Sequence, residues 1–228
     1  LAVNSRVIVT GTSTDPALEN WWSLGSQRIY AIRSLAELGV SFATTPNYSL
    51  FVDQPRWDDM HSMKRIALVH QEFLSAGIPT ALHVNARTEH DWERWARYIS
   101  DRAEVTHIAF EFSTGAGWVD RIGWHLDQLA GLRAAVGRPL RLVVRGGVTI
   151  LPQLVGVFEH VVFLETSTFL KTMQRKAAFI DPSNRIRWRH APTGGDEPLD
   201  GLLDRNWTAV SLGHGKARSA ATEPRKAA

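Results

Sequence analysis

Cysteine is absent from this sequence of 228 residues. Its absence excludes disulfide bonds, thiolate zinc sites, iron–sulfur clusters and cysteine nucleophiles. No apolar run approaches the roughly 20 residues that a membrane-spanning helix needs, and residues 1–6 lack the charged and then apolar pattern of a secretion signal. We therefore expect a cytoplasmic protein without a membrane partner.

Several catalytic signatures are missing as well. The sequence contains no Walker phosphate loop, no G-x-S-x-G nucleophile elbow and no G-x-G-x-x-G dinucleotide loop. Its nine histidines never show the H-E-x-x-H spacing of a zinc site, and His61 and His70 stand too far apart on a helix to share a metal. The sequence therefore identifies neither a metal site nor a cofactor.

The overall composition is typical of a folded domain. Hydrophobic residues make up 44% and charged residues 21%, and nine tryptophans are more than a disordered chain would carry. The net charge is only +3, but the pI is near 9.5 and residues 216–226 are basic, which favours contact with polyanions such as nucleic acid. The alternative is a solvated tail without a binding role.

Short apolar runs rich in Val, Ile and Phe alternate with longer stretches whose apolar residues recur every three or four positions. This alternation is typical of βαβ units, and nearly continuous apolar runs are typical of parallel strands that helices cover on both faces. The predicted strands are residues 6–10, 40–45, 79–85, 105–112, 140–145 and 161–166.

Helix signals fill the intervals between the predicted strands. Thr88 and Asp91 form a capping-box pattern at the start of residues 89–102, and residues 118–136 repeat apolar positions at helical spacing. A third helix opens near Asp53. Its predicted buried side carries Met60, Met63 and Ala67.

Six predicted strands, with a seventh candidate at residues 185–189, suggest a TIM-barrel-like (βα)n repeat. The barrel is complete if an eighth strand lies near residues 207–212 or in a missing N-terminal segment. A doubly wound parallel sheet is the alternative. We expect one domain over residues 1–212 and a basic, disordered tail over residues 213–228. Both folds place the site at the carboxyl ends of the strands.

The most unusual segment follows the second predicted strand. Residues 44–56 combine polar side chains with two prolines, as a stiff binding loop requires. The candidate ligand-binding residues there are Asn47, Tyr48, Asp53 and Arg56, which offer amide, phenol, carboxylate and guanidinium groups. The alternative makes Asn47 a turn residue and Asp53 a helix cap.

Polar residues also end the third and fourth predicted strands. His83 and Asn85 point to one face because side chains alternate along a strand, so His83 is a candidate acid or base and Asn85 a candidate ligand-binding residue. The alternative for His83 is a buried, hydrogen-bonded histidine. Glu111 stands between Phe110 and Phe112, where an unpaired carboxylate would be unstable. We expect Glu111 to have a partner or a catalytic role.

The fifth predicted strand closes with Arg145, Gly146 and Gly147. Two glycines between a strand and a helix let backbone N–H groups approach an anion, and Thr149 can cap the following helix. This turn is therefore a candidate phosphate site. Glu165, after the sixth strand, would repel a phosphate, and a plain tight turn is the alternative.

Glu111 and Glu165 form a candidate carboxylate pair for general acid and base catalysis, and Arg145 between them can hold one of them ionised. Lys171 and Arg175, one helical turn apart, form a candidate basic patch. The patch either contacts a polyanion or is a solvated face.

Residues 45–56, with the sequence T-P-N-Y-S-L-F-V-D-Q-P-R, are followed by K-R at residues 64–65 and by A-G-I-P at residues 76–79. This arrangement resembles a domain-of-unknown-function family of actinobacteria, phages and plasmids, whose members carry a P-N-[FY]-S-x-[FY]-x-D-x-P-R core. The resemblance covers residues 35–166. It implies a barrel-like α/β fold and a mobile-element setting, without a settled activity.

The first functional hypothesis is a barrel enzyme that acts on a phosphorylated or nucleic-acid-derived substrate, with His83, Glu111 and Glu165 as acid–base groups. It rests on the frequency with which such barrels are enzymes. The second is a non-catalytic nucleic-acid-binding subunit of a larger complex, which uses the basic tail and residues 171–176. A third is a degenerate barrel that only binds protein, and it predicts no pocket of convergent polar groups at the strand ends.

Overall fold

The computed structural model describes residues 6–51, 53–113, 119–183, 185–194 and 197–222, with the backbone alone for residues 119–120 and 216–222. Trp118, at the start of a predicted helix, lies outside the described residues. Within this part of the chain, no helix combines the length and the apolar character needed to cross a membrane.

Six short strands pair in parallel and in chain order. They are β1 (Val7–Val9), β2 (Val40–Thr44), β3 (Thr80–His83), β4 (His107–Glu111), β5 (Arg141–Arg145) and β6 (His160–Leu164). Each lies at the position of one predicted strand, and at least one helix separates each strand from the next. The predicted α/β repeat is therefore confirmed.

The helices lie between the strands and after them. They are α1 (Asp15–Ser23), α2 (Arg28–Glu37), α3 (Arg56–Ser75), α4 (Glu89–Ser100), α5 (Val119–Val136), α6 (Leu151–Val157), α7 (Ser167–Met173) and α8 (Asp200–Thr222). A separate antiparallel hairpin, β7 (Lys176–Ile180) and β8 (Ile186–His190), precedes α8.

The strand order never reverses, so the sheet has no topological switch point. The doubly wound alternative is therefore wrong, and the six strands form a curled half-barrel. Because all six strands are parallel, their carboxyl ends lie at one rim of the sheet.

The two further strands predicted for a barrel are not part of this sheet. Residues 185–189 fall largely in β8, which pairs with β7. Its arginines alternate with Ile186 and Trp188, a pattern that suits a hairpin with one solvated face and not a parallel strand covered on both. Residues 207–212 lie in α8, where Leu202, Asn206 and Val210 are buried at helical spacing.

Each face of the sheet buries its own set of side chains. The outward set packs against the helices and includes Leu82, Ile108, Phe110, Leu142 and Val144. The inward set comprises Ala81, Ala109 and Val143, with Phe42 and Leu164 packed against them. Burial on both faces of the central strands β3, β4 and β5 explains why these strands read as nearly continuous apolar runs.

The capping box predicted for α4 is confirmed. Thr88 Oγ1 accepts a hydrogen bond from Asp91 N at 3.3 Å, and Asp91 Oδ2 accepts one from Thr88 N at 3.0 Å. In α3, Met63 is buried as predicted, but Met60 is 44% exposed. The buried position in that turn belongs to Asp59, whose carboxylate accepts a hydrogen bond from Phe51 N at 3.0 Å.

The last helix is longer than the sequence predicts. α8 continues to Thr222, so the predicted start of a disordered tail at residue 213 falls inside a helix. Residues 223–228 lie outside the described part of the chain. Binding of a polyanion by the basic tail stays a prediction.

The exits of β1 and β2 approach so closely that only glycine fits at residue 11. Gly11 N donates to Thr44 Oγ1 at 2.9 Å, and Asn47 N donates to Gly11 O at 2.8 Å. A Cβ at residue 11 would lie 2.3 Å from Thr45 O. Backbone atoms would have to move, and the two hydrogen bonds would be strained.

We expect Gly11→Ala to lower the free energy of unfolding, measured by urea denaturation, by about 1–3 kcal/mol, as overpacking does. Gly123→Ala in α5 is the matched control, because among the described residues no atom beyond its chain neighbours and the backbone of α5 lies within 4 Å of the added Cβ. It should be neutral or stabilising by up to about 1 kcal/mol. Equal stability of the two variants would contradict the close approach at Gly11.

Candidate functional site

Polar side chains on the inner face of the half-barrel lie side by side at its rim. The parallel register pairs His83 with Ala109 and Glu111 with Arg145. Because side chains alternate, His83, Glu111 and Arg145 share the inner face with Ala109. The last inward positions of β3, β4 and β5 are therefore all polar.

A cavity of about 230 Å³ opens at this rim. Its walls include four of the candidate site residues, namely Asn47, His83, Asn85 and Glu111. Arg145 stands behind Glu111, because its Nη1 donates to Glu111 Oε2 at 2.9 Å. The fold thus brings together five candidates from the exits of β2, β3, β4 and β5.

Glu111 is buried, and both of its carboxylate oxygens are occupied. Oε2 accepts from Arg145, and Oε1 accepts from Ser113 N at 2.6 Å. Arg145 Nε in turn donates to Thr166 Oγ1 at 3.1 Å. The prediction that Glu111 has a partner is confirmed. The partner is Arg145, whose positive charge compensates the buried charge of Glu111.

His83 is buried and neutral. Its Nδ1 lies 3.4 Å from Thr45 O, and since a carbonyl only accepts, Nδ1 carries the proton in this contact. Nε2 has no hydrogen-bond partner among the described residues. Burial lowers the pKa of His83 from its usual value near 6.5 to about 4, so Nε2 keeps an unused lone pair at neutral pH.

The two asparagines fasten the loop after β2 to the exit of β3. Asn85 Nδ2 donates to Asn47 Oδ1 at 3.0 Å and to Tyr48 O at 2.7 Å, and Trp95 Nε1 donates to Asn85 O at 2.9 Å. Asn47 Nδ2 and Asn85 Oδ1 have no partner in the described part of the chain. One amide donor and one amide acceptor therefore remain for a ligand.

Arg87 also lines the cavity, although the sequence reasoning missed it. Its guanidinium forms no ion pair with any described residue, and its Nε is buried without a hydrogen-bond partner. The only signal in the sequence is its place in the short loop between Asn85 and the cap residue Thr88. A loop residue that follows a strand end is a candidate for binding.

His125, on α5, is the second cavity residue that was missed. It is buried, and its Nδ1 has no hydrogen-bond partner among the described residues. Burial, together with the nearby charges of Arg121 and Arg87, lowers the pKa of His125 to about 4. A histidine at a helical position otherwise spaced for apolar residues, between Ile122 and Leu129, is the signal that could have found it.

Three candidates from the loop after β2 lie away from the cavity. Tyr48 is buried beneath Arg65, whose guanidinium carbon is 4.1 Å from the ring centroid, and burial raises the pKa of Tyr48 to about 12. Arg56 forms ion pairs with Asp59, at 3.2 Å, and with Asp91. Asp53 is exposed and lines a separate hollow, and since α3 has no side-chain cap, the helix-cap alternative for Asp53 is wrong.

Arg56 has a structural role because it binds the buried carboxylate of Asp91. Burial alone would raise the pKa of Asp91, but hydrogen bonds from Arg56 and from the backbone N–H groups of Arg87 and Thr88 hold that pKa below its usual range. This one carboxylate joins the start of α3 to the loop before α4. Arg56 therefore has a structural role in two ion pairs, and its role in ligand binding stays a prediction.

The diglycine turn is explained by packing. Gly146 and Gly147 have φ values of 75° and 69°, and a Cβ on Gly146 would lie 2.4 Å from Ser113 Oγ. Thr149 lies inside a 3₁₀ turn, Val148–Ile150, which has no side-chain cap. The predicted capping role of Thr149 is wrong, and the tight-turn alternative accounts for both glycines.

Glu165 lines a different cavity from Glu111, together with Gly146, Gly147 and His214. Its carboxylate accepts hydrogen bonds from Ser167 N at 2.8 Å and from Thr168 N at 3.0 Å. Burial would raise the pKa of Glu165, but the bonds from Ser167 and Thr168 hold it below its usual range. Glu165 thus fastens the start of α7, and the structure separates the predicted carboxylate pair.

The predicted basic patch does not lie on one helix. α7 ends at Met173, so Lys171 is helical whereas Arg175 lies in the turn before β7 with a φ of 55°. The pairing of Lys171 and Arg175 one helical turn apart is therefore wrong. The left-handed conformation of Arg175 turns the chain from α7 into the hairpin.

Comparisons with known proteins identify no family. No protein-family model matches the sequence, and a search of curated proteins also finds no match. Among the described residues, no group of three or more His, Asp or Glu side chains is arranged to hold a metal ion. The resemblance carried by residues 45–56 stays a prediction.

The buried His83 predicts a specific loss of stability in acid. The folded chain keeps His83 neutral down to about pH 4, whereas the unfolded chain protonates it near pH 6.5. The unfolded state therefore binds more protons between these values, and the free energy of unfolding falls as the pH drops from about 6.5 to about 4.

His83→Asn is expected to remove about 3 kcal/mol of this pH-dependent destabilisation, measured by urea denaturation across the same pH range. His90→Gln is the control, because the His90 side chain is 83% exposed, and it should leave the pH dependence unchanged. A His83→Asn profile parallel to that of the wild type would show that His83 is not held neutral by burial.

Proposed function

We propose that this chain is a barrel-like enzyme that acts on a small phosphorylated substrate in the cavity at the ends of β2 to β5. The observation that carries the proposal is that one cavity holds both the neutral imidazole of His83 and the guanidinium of Arg87. Among the described residues, His83 Nε2 has no hydrogen-bond partner and Arg87 has no ion-pair partner. The first group can move a proton, and the second can hold an anion.

The electrostatics of the cavity favour an anionic substrate. Arg87 has no acidic partner among the described residues, and the charges of Arg87 and Arg121 help to keep His125 neutral. A guanidinium presents several N–H groups in one plane, which suits a phosphate or a carboxylate. At about 230 Å³, the cavity is smaller than the roughly 300–1,000 Å³ of most ligand pockets, so a nucleic-acid-derived substrate would enter only with its phosphorylated part.

His83 is the proposed general base. Its Nε2 lone pair would accept a proton from the substrate or from a water molecule, and a bound anion would raise the pKa of the imidazole. Asn47 Nδ2 and Asn85 Oδ1 would orient the substrate. Glu111 and Arg145 would form a fixed polar wall, since their charged groups already bind each other.

The alternatives are less well supported by this geometry. A degenerate barrel that only binds protein predicts no pocket of convergent polar groups, and such a pocket exists. The nucleic-acid-binding subunit relied on residues 171–176, which do not share one helix, and on a tail whose side chains lie outside the described residues. The mobile-element setting stays a prediction that rests on the motif at residues 45–56.

The anion-binding role of Arg87 is testable by thermal melting with a panel of small phosphate monoesters and nucleotides. We expect at least one compound to raise the melting temperature of the wild type, and Arg87→Ala to weaken its binding about 10–100-fold, as removal of a charge-assisted hydrogen bond does. Arg97→Ala, on the outer surface of α4, is the control. A full melting shift in Arg87→Ala would contradict the proposed anion contact.

The catalytic role of His83 requires turnover of a compound that binds. We expect His83→Gln to bind that compound within a few-fold of the wild type, but to lower kcat by about 100-fold or more. The control is His214→Gln, because His214 lines the cavity that contains Glu165. This variant should keep both the binding and the kcat of the wild type. Unchanged kcat in His83→Gln, or turnover of no bound compound by the wild type, would overturn the assignment of His83 as the base.

A further inference from the structure

The hairpin of β7 and β8 packs on α8 through one face only. In the antiparallel register, Ala178 lies opposite Trp188 and Ile180 lies opposite Ile186. These side chains face α8, where a Cβ on Gly213 would lie 2.7 Å from Ile186 Cγ1. Because side chains alternate along a strand, the next set points away from α8.

We call this second set the arginine face, and it consists of Phe179, Arg185, Arg187 and Arg189. Phe179 lies opposite Arg187 in the register. The three arginines recur at every second residue, which spaces them about 7 Å apart in an extended strand. All four side chains are exposed.

The positive charge of the arginine face is largely uncompensated. Asp181 is the only acidic residue in the sequence from 175 to 191, and its Oδ2 accepts from Arg187 Nε at 3.0 Å. Arg185 and Arg189 form no ion pair with any described residue. The guanidinium carbon of Arg189 lies 5.6 Å from the ring centroid of Phe179, so the free arginine and the aromatic ring are neighbours.

The hairpin holds this face in place before any partner arrives. Asp181 Oδ1 accepts from Ser183 N and from Arg185 N, both at 2.9 Å, and these bonds fix the turn. Asn206 on α8 fastens β7, because its Oδ1 accepts from Ala178 N and its Nδ2 donates to Lys176 O. Little ordering of the backbone would be needed on binding.

We propose that the arginine face binds a single-stranded nucleic acid. Evenly spaced guanidinium groups complement a chain of repeated phosphates, and an exposed aromatic ring between them offers a stacking surface to an unpaired base. A duplex keeps its bases stacked on each other and would leave Phe179 unused. This surface is separate from the cavity at the strand ends, so the inference goes beyond the enzyme proposed above.

Fluorescence anisotropy with a labelled short oligothymidylate tests this inference on the full chain. For single strands, the log–log slope of affinity against salt becomes shallower by about 0.7 for each phosphate that the protein no longer neutralises. We expect Arg185→Gln combined with Arg189→Gln to make the slope shallower by about 1.4 and to weaken binding about tenfold or more at low salt. Phe179→Ala should weaken binding about tenfold, because it removes the ring on which a base would stack.

The matched control is Arg33→Gln combined with Lys64→Gln, which removes the same charge from exposed positions on α2 and α3. This control and Arg87→Ala should both bind as the wild type does, and Arg87→Ala separates this proposal from the enzyme proposal. Arg185→Lys with Arg189→Lys should restore most of the salt dependence. The proposal is overturned if the control loses as much affinity as the hairpin variant, if the hairpin variant binds normally, if the wild type does not bind, or if duplex DNA or anionic vesicles bind more tightly.

Discussion

The hydrogen-bonded register of neighbouring parallel strands is the constraint on which the rest of this structure depends. Pairing in chain order places inward side chains of adjacent strands at the same rim. Glu111 meets Arg145 only because their backbones are paired, and the resulting ion pair makes a buried carboxylate tolerable. If β4 shifted by one residue, Glu111 would point to the helix-covered face and its charge would lose that partner.

The rim combines a hydrogen-bonded framework with a few polar groups that have no partner among the described residues. These groups could bind a ligand without disturbing the framework. Thr45 Oγ1 accepts from His83 N at 2.8 Å, and Asn85 binds the loop after β2, so the framework holds without a ligand. His83 Nε2 and His125 Nδ1 stay unpartnered among the described residues. Unmade hydrogen bonds in a buried place are costly, and a bound substrate that supplies them would bind more tightly for that reason.

The sequence predicted the repeat and the strand ends because both depend on local periodicity. The apolar runs identified all six strands, and the residues at the ends of strands two to five supplied Asn47, His83, Glu111 and Arg145. The sequence did not show that Glu165 and Glu111 line different cavities. A carboxylate two residues before a helix can either reach a site or bind the start of that helix, and only the three-dimensional contacts decide which. Arg87 and His125 were missed because the loop and α5 reach the cavity through tertiary packing that no short-range pattern encodes. Residues 185–189 likewise read locally as a strand, but only the register with β7 shows that the arginines share one exposed face.

Contact between His83 and a phosphorylated ligand in the rim cavity is tested most directly by the ¹⁵N chemical shifts of the His83 imidazole nitrogens as a phosphate monoester is added near pH 6. We expect Nε2 to move saturably from the shift of an unprotonated nitrogen toward that of a protonated one, whereas the exposed His90 should not respond in the same way. A His83 Nε2 resonance that stays at the unprotonated value through saturating ligand, or that follows His90, would show that His83 does not meet the ligand.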